Sequence, residues 1–223
     1  MDDTIYIEFL VEDTSGKMLL EILMEKYTEN KSNVIYKING FKGIGRLPKK
    51  IEKITNVKTR SLLNDLPAYL KGFSNSLSKV PFKKAVIVVV DCDDKDRFQF
   101  KKDLVEMAEK LELKVDTIFC IAVEEMESWL LGDTNAVLSA YPNAKRALLQ
   151  SYVPDSIIGT WELLADIVYL GGVAKLKKNA VSYYEIGEQK CMWATKIGEY
   201  MELRHNNSPS FNYLLAKIDQ LCS

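Results

Sequence analysis

The run Lys84-Ala85-Val86-Ile87-Val88-Val89-Val90, followed at once by Asp91-Cys92-Asp93-Asp94, constrains this chain more than any other stretch. Val86 to Val90 are all β-branched, which favours an extended backbone. A strand with one solvated face alternates apolar and polar residues, and this one does not. Both of its faces must therefore be covered. When strands are separated by helices, right-handed crossovers bring them into a parallel sheet with helices on its two faces. The change from aliphatic to acidic at Asp91 marks where the strand leaves the core.

Other segments fit that scheme. Thr4 to Val11 (TIYIEFLV), Asn33 to Ile38 (NVIYKI) and Asp116 to Val123 (DTIFCIAV) read as further strands. Helices are expected over about 16–27, with Asp13, Thr14 and Ser15 offering N-cap chemistry, over about 59–72, and over 96–111. After Glu124 the periodicity is helical throughout, at about 124–131, 134–139, 143–150, 160–169, 187–203 and 210–221, interrupted by Gly171-Gly172 and by Asn206 to Pro209. The chain thus divides into an α/β domain over 1–133 and a helical extension over 134–223 packed on it.

Composition narrows the function classes. With 47% hydrophobic and 27% charged residues the chain is an ordinary globular protein. Thirty basic and 31 acidic residues give a net charge of -1, so any nucleic-acid contact must come from a local patch. His205 is the single histidine, which excludes a multi-histidine metal site and leaves no Ser-His-Asp or Cys-His constellation. Cys92, Cys120, Cys191 and Cys222 form no CxxC pair, and the first two fit as small buried hydrophobes. Asp2 and Asp3 stand where a signal peptide needs basic residues, and no apolar run nears the roughly 20 residues of a spanning helix. A cytosolic protein is expected.

The chemistry lies in the acidic residues. Glu12 closes the first strand, Asp91, Asp93 and Asp94 close the aliphatic strand, and Glu124, Glu125 and Glu127 close the fourth. In an open parallel sheet, sites form in the crevice beyond the carboxyl ends of the strands. Extended alternation would aim Asp91 and Asp93 to one side and Cys92 to the other. Crowded carboxylates repel unless a cation neutralises them, and hard oxygen donors select Mg²⁺ or Mn²⁺. Asp94 and Asp96 also suit the cap of the helix that follows. The loop 39–50 (NGFKGIGRLPKK) adds glycines for close backbone approach and Lys42, Arg46, Lys49 and Lys50 for phosphates.

A glutamate after the first strand and a DxD after a later hydrophobic strand resemble the toprim domain of topoisomerases, primases and the overcoming-lysogenization-defect (OLD) nucleases. The chain also resembles small bacterial toprim-like proteins carrying an E-x-W-L-L-x-D stretch, here Glu127 to Asp133, and a late S-P-S-F stretch, here Ser208 to Phe211. The resemblance implies a toprim-like sheet in which Glu12, Asp91 and Asp93 hold Mg²⁺ or Mn²⁺ and Glu127 serves as a further ligand or base. It implies phosphodiester hydrolysis of DNA or RNA, a role in defence against phage, and a separate P-loop ATPase as partner. Two positions depart from the pattern. Asp13 replaces the glycine that usually follows the glutamate, and the catalytic lysine has no motif, leaving Lys17, Lys175, Lys177 and Lys178 as candidates. A degenerate toprim-like subunit that only binds nucleic acid or a partner, or an enzyme acting on a small phosphorylated substrate, stands as the alternative. Trp129, Trp161 and Trp193 read as core, and Ser208 and Ser210 as N-caps of the last helix, with His205 in the loop before it.

Overall fold

The computed structural model describes residues 3–43, 45–48, 61–156 and 159–223. The α/β half runs β1 (Ile5–Val11), α1 (Thr14–Thr28), β2 (Val34–Gly40), α2 (Leu62–Leu77), β3 (Lys83–Asp91), α3 (Arg97–Glu109) and β4 (Asp116–Ala122). Helices follow: α4 (Glu127–Gly132), α5 (Thr134–Ala140), α6 (Arg146–Ser151), α7 (Thr160–Val168), α8 (Gly172–Asn179), α9 (Tyr183–Gly198) and α10 (Pro209–Cys222). The four strands form one open, all-parallel sheet in the order β2-β1-β3-β4. The α/β architecture and its helical C-terminal extension are those the sequence predicts.

Side-chain parity divides the core in two. Ile5, Ile7, Phe9 and Val11 of β1 point with Ala85, Ile87 and Val89 of β3 toward one face, where α1 and helices of the extension share one core with them. Leu10, Val86, Val88, Val90 and Phe119 point to the other, under α2 and α3. The aliphatic run is buried along its whole length, as cover on both faces requires. Among the described residues no helix is long and apolar enough to cross a membrane.

Local chemistry sets the element ends. Asp13 caps α1, accepting from Gly16 N at 2.7 Å, and Asp96 caps α3 through Phe98 N and Gln99 N. Helix α2 continues past Gly72 to Leu77 because Leu77 is buried and Ser74 Oγ accepts from Lys114 N at 2.7 Å. Its expected start at Thr59 lies outside the described residues. Helix α8 is an addition to the expected elements. Its octapeptide offers only Val173, Ala174 and Leu176 among lysines, a weak period, and its start is held by Val173 N donating to Asp166 Oδ1. Lys26 of α1 donates to the carbonyls of Gly198, Glu199 and Met201, each at 2.8 Å, and so caps α9 from a neighbouring helix.

Segments 127–133 and 206–211 are stitched together. Trp129 Nε1 donates to Ser210 Oγ at 2.8 Å, and its ring meets Phe211 edge-on. Asn206 Nδ2 donates to the Trp129 carbonyl at 2.7 Å, and Asp133 accepts from Ala136 N and Glu202 N. Ser208 caps α10 and donates to Asp155, whose other oxygen accepts from Ser210 N. Trp129, Trp161 and Trp193 are core residues, as expected.

At Gly132 a Cβ atom would stand 2.3 Å from Asn206 Oδ1 and 2.9 Å from Ser208 Cβ, so nothing larger than glycine fits this seam. Gly132→Ala is therefore expected to destabilise the protein by about 2 kcal/mol, lowering the melting temperature by roughly 4–8 °C. Thermal denaturation followed by circular dichroism checks this, and an unchanged melting temperature would contradict the clamp.

Candidate active site

The carboxyl ends of β1 and β3 are adjacent, so their terminal acids meet. Asp91 continues the Ala85-Ile87-Val89 row, which puts its carboxyl on the face covered by α1 and α9. The Glu12 backbone N–H donates to Val89 O at 3.2 Å, and Glu12 Oε2 accepts from Asp91 N at 3.0 Å. The Asp91 carboxyl is buried, and its Oδ1 has no hydrogen-bond partner among the described residues. Gly16 lets α1 come this close: a Cβ there would lie 3.0 Å from Asp13 Oδ1, from Met126 Sδ and from Val11 Cγ1.

Lysine 190 of α9 enters the cluster from above. Its Nζ lies 3.2 Å from Glu125 Oε1 and 3.3 Å from Glu127 Oε2, with all three side chains largely buried. Asp91 and Asp13 also act on it electrostatically. Lys190 thus faces four acids, Asp13, Asp91, Glu125 and Glu127, while the cation acting on Glu12 is Lys95. Burial raises the proton affinity of Glu12, Asp91, Glu125 and Glu127. Burial, opposed by the Asp91 N–H and reinforced by Asp93 and Asp13, pushes Glu12 up to about 7. Burial and then Glu127 push Glu125 up to about 8. Burial and then Glu12 drive Asp91 well above the usual carboxylate range, and burial also raises Glu127 against the pull of Lys190. Burial opposes the charge on Lys190, but Glu127, Glu125 and Asp91 outweigh it and keep the ammonium protonated.

The remaining acids have other surroundings. Asp93 adopts a left-handed backbone, φ +49°, so extended alternation ends at Cys92. It lies near enough to Glu12 to raise its proton affinity, while its Oδ2 is held by Lys95 Nζ at 2.5 Å. Glu124, also left-handed, is structural: its carboxylate accepts from Thr160 N at 2.8 Å and from Thr160 Oγ1, fixing the start of α7. Cys92 is buried, with Sγ accepting from Glu124 N. Of the acidic residues in 127–133, Glu127 faces the cluster and Asp133 caps α5.

The basic loop leaves the same edge of the sheet. Phe41 N donates to Val11 O and Gly43 N to Glu12 O, so exposed Lys42 sits directly after the Glu12 backbone, with exposed Arg46 further along. Lys49 and Lys50 lie outside the described residues. Among the candidate lysines, Lys17 pairs with Glu21 and Lys177 with Glu162, both on the surface. The lysine inside the cluster is Lys190. Its signal in the sequence is a cation on the apolar stripe Ile186, Lys190, Trp193, Ala194 and Ile197.

The donor chemistry suits a hard divalent cation: buried oxygen donors with raised proton affinity and an unpartnered Asp91 oxygen. Among the described residues no three His, Cys, Asp or Glu side chains form a ready-made metal cage. Mg²⁺ is commonly held by only one or two carboxylates, with waters and substrate oxygens completing its shell. Glu12 and Asp91 are the neighbouring carboxyls that could serve in this way.

Fold and site define an open, all-parallel α/β protein with a buried acidic cluster at the carboxyl edge of its sheet. The chain belongs to the family described as a domain of unknown function (DUF4276), whose model matches residues 11–219. No curated protein and no solved structure gives a significant match.

The raised carboxyls set a pH dependence. Unfolded, Glu12 and Glu125 ionise near the ordinary 4.5, and in the fold near 7 and 8. Between those values the native state holds more protons than the unfolded state, so stability falls as pH rises. The urea midpoint is expected to be higher at about pH 5 than at about pH 8.5 in metal-free buffer. Lys190→Met removes the cation and is expected to cost about 3 kcal/mol at about pH 8 and less at about pH 5. A pH-independent midpoint, or a Lys190→Met loss that is larger in acid, would contradict this charge assignment.

Proposed function

We propose that the protein is a Mg²⁺- or Mn²⁺-dependent phosphodiesterase acting on nucleic acid, a nuclease of toprim-like character. The observation that carries this reading is the unpartnered, buried Asp91 oxygen beside Glu12, among carboxyls whose proton affinity burial raises. Glu12 and Asp91 would hold the metal, with Asp93 released from Lys95 as a further ligand. When bound, the metal supplies Lewis acidity toward a phosphate oxygen and lowers the proton affinity of water. Glu125, raised to about 8 and not assigned to the metal, is suited to take a proton from an attacking water near neutral pH. Lys190 orients Glu125 and Glu127 and keeps their charge in the crevice. Lys42, first in the loop beside Glu12, and Arg46 are placed to meet backbone phosphates. Toprim-like proteins of this kind suggest phage defence beside a P-loop ATPase, and that context is part of the proposal.

A second reading is favoured by the ion pairs themselves. Lys190 on Glu125 and Glu127, and Lys95 on Asp93, already neutralise part of the site. A subunit without turnover that binds nucleic acid or a partner ATPase would keep such pairs closed.

Calorimetric titration with Mn²⁺ separates the two. The first reading expects binding that Glu12→Gln and Asp91→Asn each abolish. It also expects metal-dependent cleavage of an oligonucleotide, about 10²-fold slower or worse in Asp91→Asn. Metal binding without cleavage, alone or with an ATPase partner, would leave the second reading. Absence of both would remove the enzyme.

A further inference from the structure

A groove of about 240 Å³ lies between α3 and the first half of α10, floored by Ile121 and Val123 at the end of β4. β4 is an edge strand, so the groove follows the open side of the sheet. Val123 on its floor is followed in the chain by Glu124 and Glu125, and the carbonyl of Glu124 accepts from Asp93 N at 3.0 Å. Its walls combine two kinds of residue. Phe98 is 71% exposed, an uncommon setting for a phenylalanine, and Tyr213 stands across from it. Around them are cations: Arg97 at 4.7 Å from the Phe98 ring, Lys101 at 3.9 Å and Lys217 at 5.5 Å from the Tyr213 ring. Asp96, the acid beside them, is taken up by the first turn of α3.

An exposed Phe98 ring and a half-buried Tyr213 ring, set among ammonium and guanidinium groups, match a strand that carries flat bases and phosphates in alternation. A duplex keeps its bases stacked inside and offers a ring such as Phe98 only its charged backbone. A chain of net charge -1 has no general attraction for polyanions, so Arg97 and Lys101 on the groove wall, with Lys217 over the Tyr213 ring beside it, form a local and selective cationic patch. We infer that this groove binds single-stranded nucleic acid, one base resting on Phe98 and the neighbouring phosphates on Arg97, Lys101 and Lys217, and leads the strand to the acidic crevice. The inference deepens the proposed function by naming the form of its substrate, and it rests on that reading for the strand's destination but not for binding.

The test is fluorescence anisotropy of the full chain with short fluorescein-labelled oligothymidylate and oligouridylate in EDTA, at several salt concentrations. The expected result is binding of single strands in preference to a duplex of the same length, not displaced by an equal charge of polyglutamate. Phe98→Ala, at an exposed position, is expected to weaken binding by about fivefold or more while the melting curve stays unchanged. Lys101→Ala is expected to lower the slope of log affinity against log salt by about 0.7. No binding of single strands, equal or tighter binding of duplex, displacement by polyglutamate, or Phe98→Ala binding like wild type would each overturn the groove. Because EDTA removes any cleavage, the two ideas fail separately. Binding without metal-dependent hydrolysis sinks only the enzyme, and hydrolysis without this binding sinks only the groove.

Discussion

Charge that cannot reach water organises this molecule. An all-parallel sheet must be covered on both faces, and the cover brings α1 and α9 over the carboxyl ends of β1 and β3. Acids at those ends are then shut in together, and the helix that shuts them in carries the ammonium paired with Glu125 and Glu127. Lys190 is tied to the sheet's acids, while Lys26 ties the far end of the same helix to α1. The position of α9 is therefore set by lysines at its middle and at its carboxyl end. Burying an ion pair often contributes little net stability, whereas leaving one partner unpaired is costly, so the arrangement reads more as a device for specifying geometry than for strengthening the fold.

The clamp between 127–133 and 206–211 has a related role. Glu127 can face the crevice only because the residues after it are fixed. Trp129 is held by Ser210 and Phe211, Gly132 is pressed against Asn206, and Asp133 begins the next helix. The motif that looks catalytic in the sequence is largely a mounting, with one acid directed into the site. The same division holds upstream, where Glu124 secures α7 and Glu125 meets Lys190.

Much of this could be read from residue order alone, for definite reasons. Val86 to Val90 require a doubly covered strand, and the strand-end rule brings Glu12 and Asp91 to one edge before any coordinate is known. Asp13 and Asp96 are the caps that their short side chains suit. What escaped reading depends on tertiary context. The sign of φ at Asp93 and Glu124 decides where those acids point, and composition carries no trace of it. Helix α8 has too few apolar residues to show a period. Lys190 was visible as a cation on an apolar stripe, but its meaning depends on carboxylates 60 to 180 residues away in the chain.

The shared ammonium also bears on how substitutions combine. Losses at contacting, charge-coupled positions do not add. Replacing Lys190 alone strands Glu125 and Glu127; replacing Glu127 alone leaves Lys190 with fewer counter-charges in a buried place. Changing both by neutral residues of similar volume relieves each loss, so the double change costs less than the sum of its parts. Sequences that drift at this crevice must then cross an intermediate less stable than either end, which holds positions 91, 125, 127 and 190 to change in concert rather than one by one.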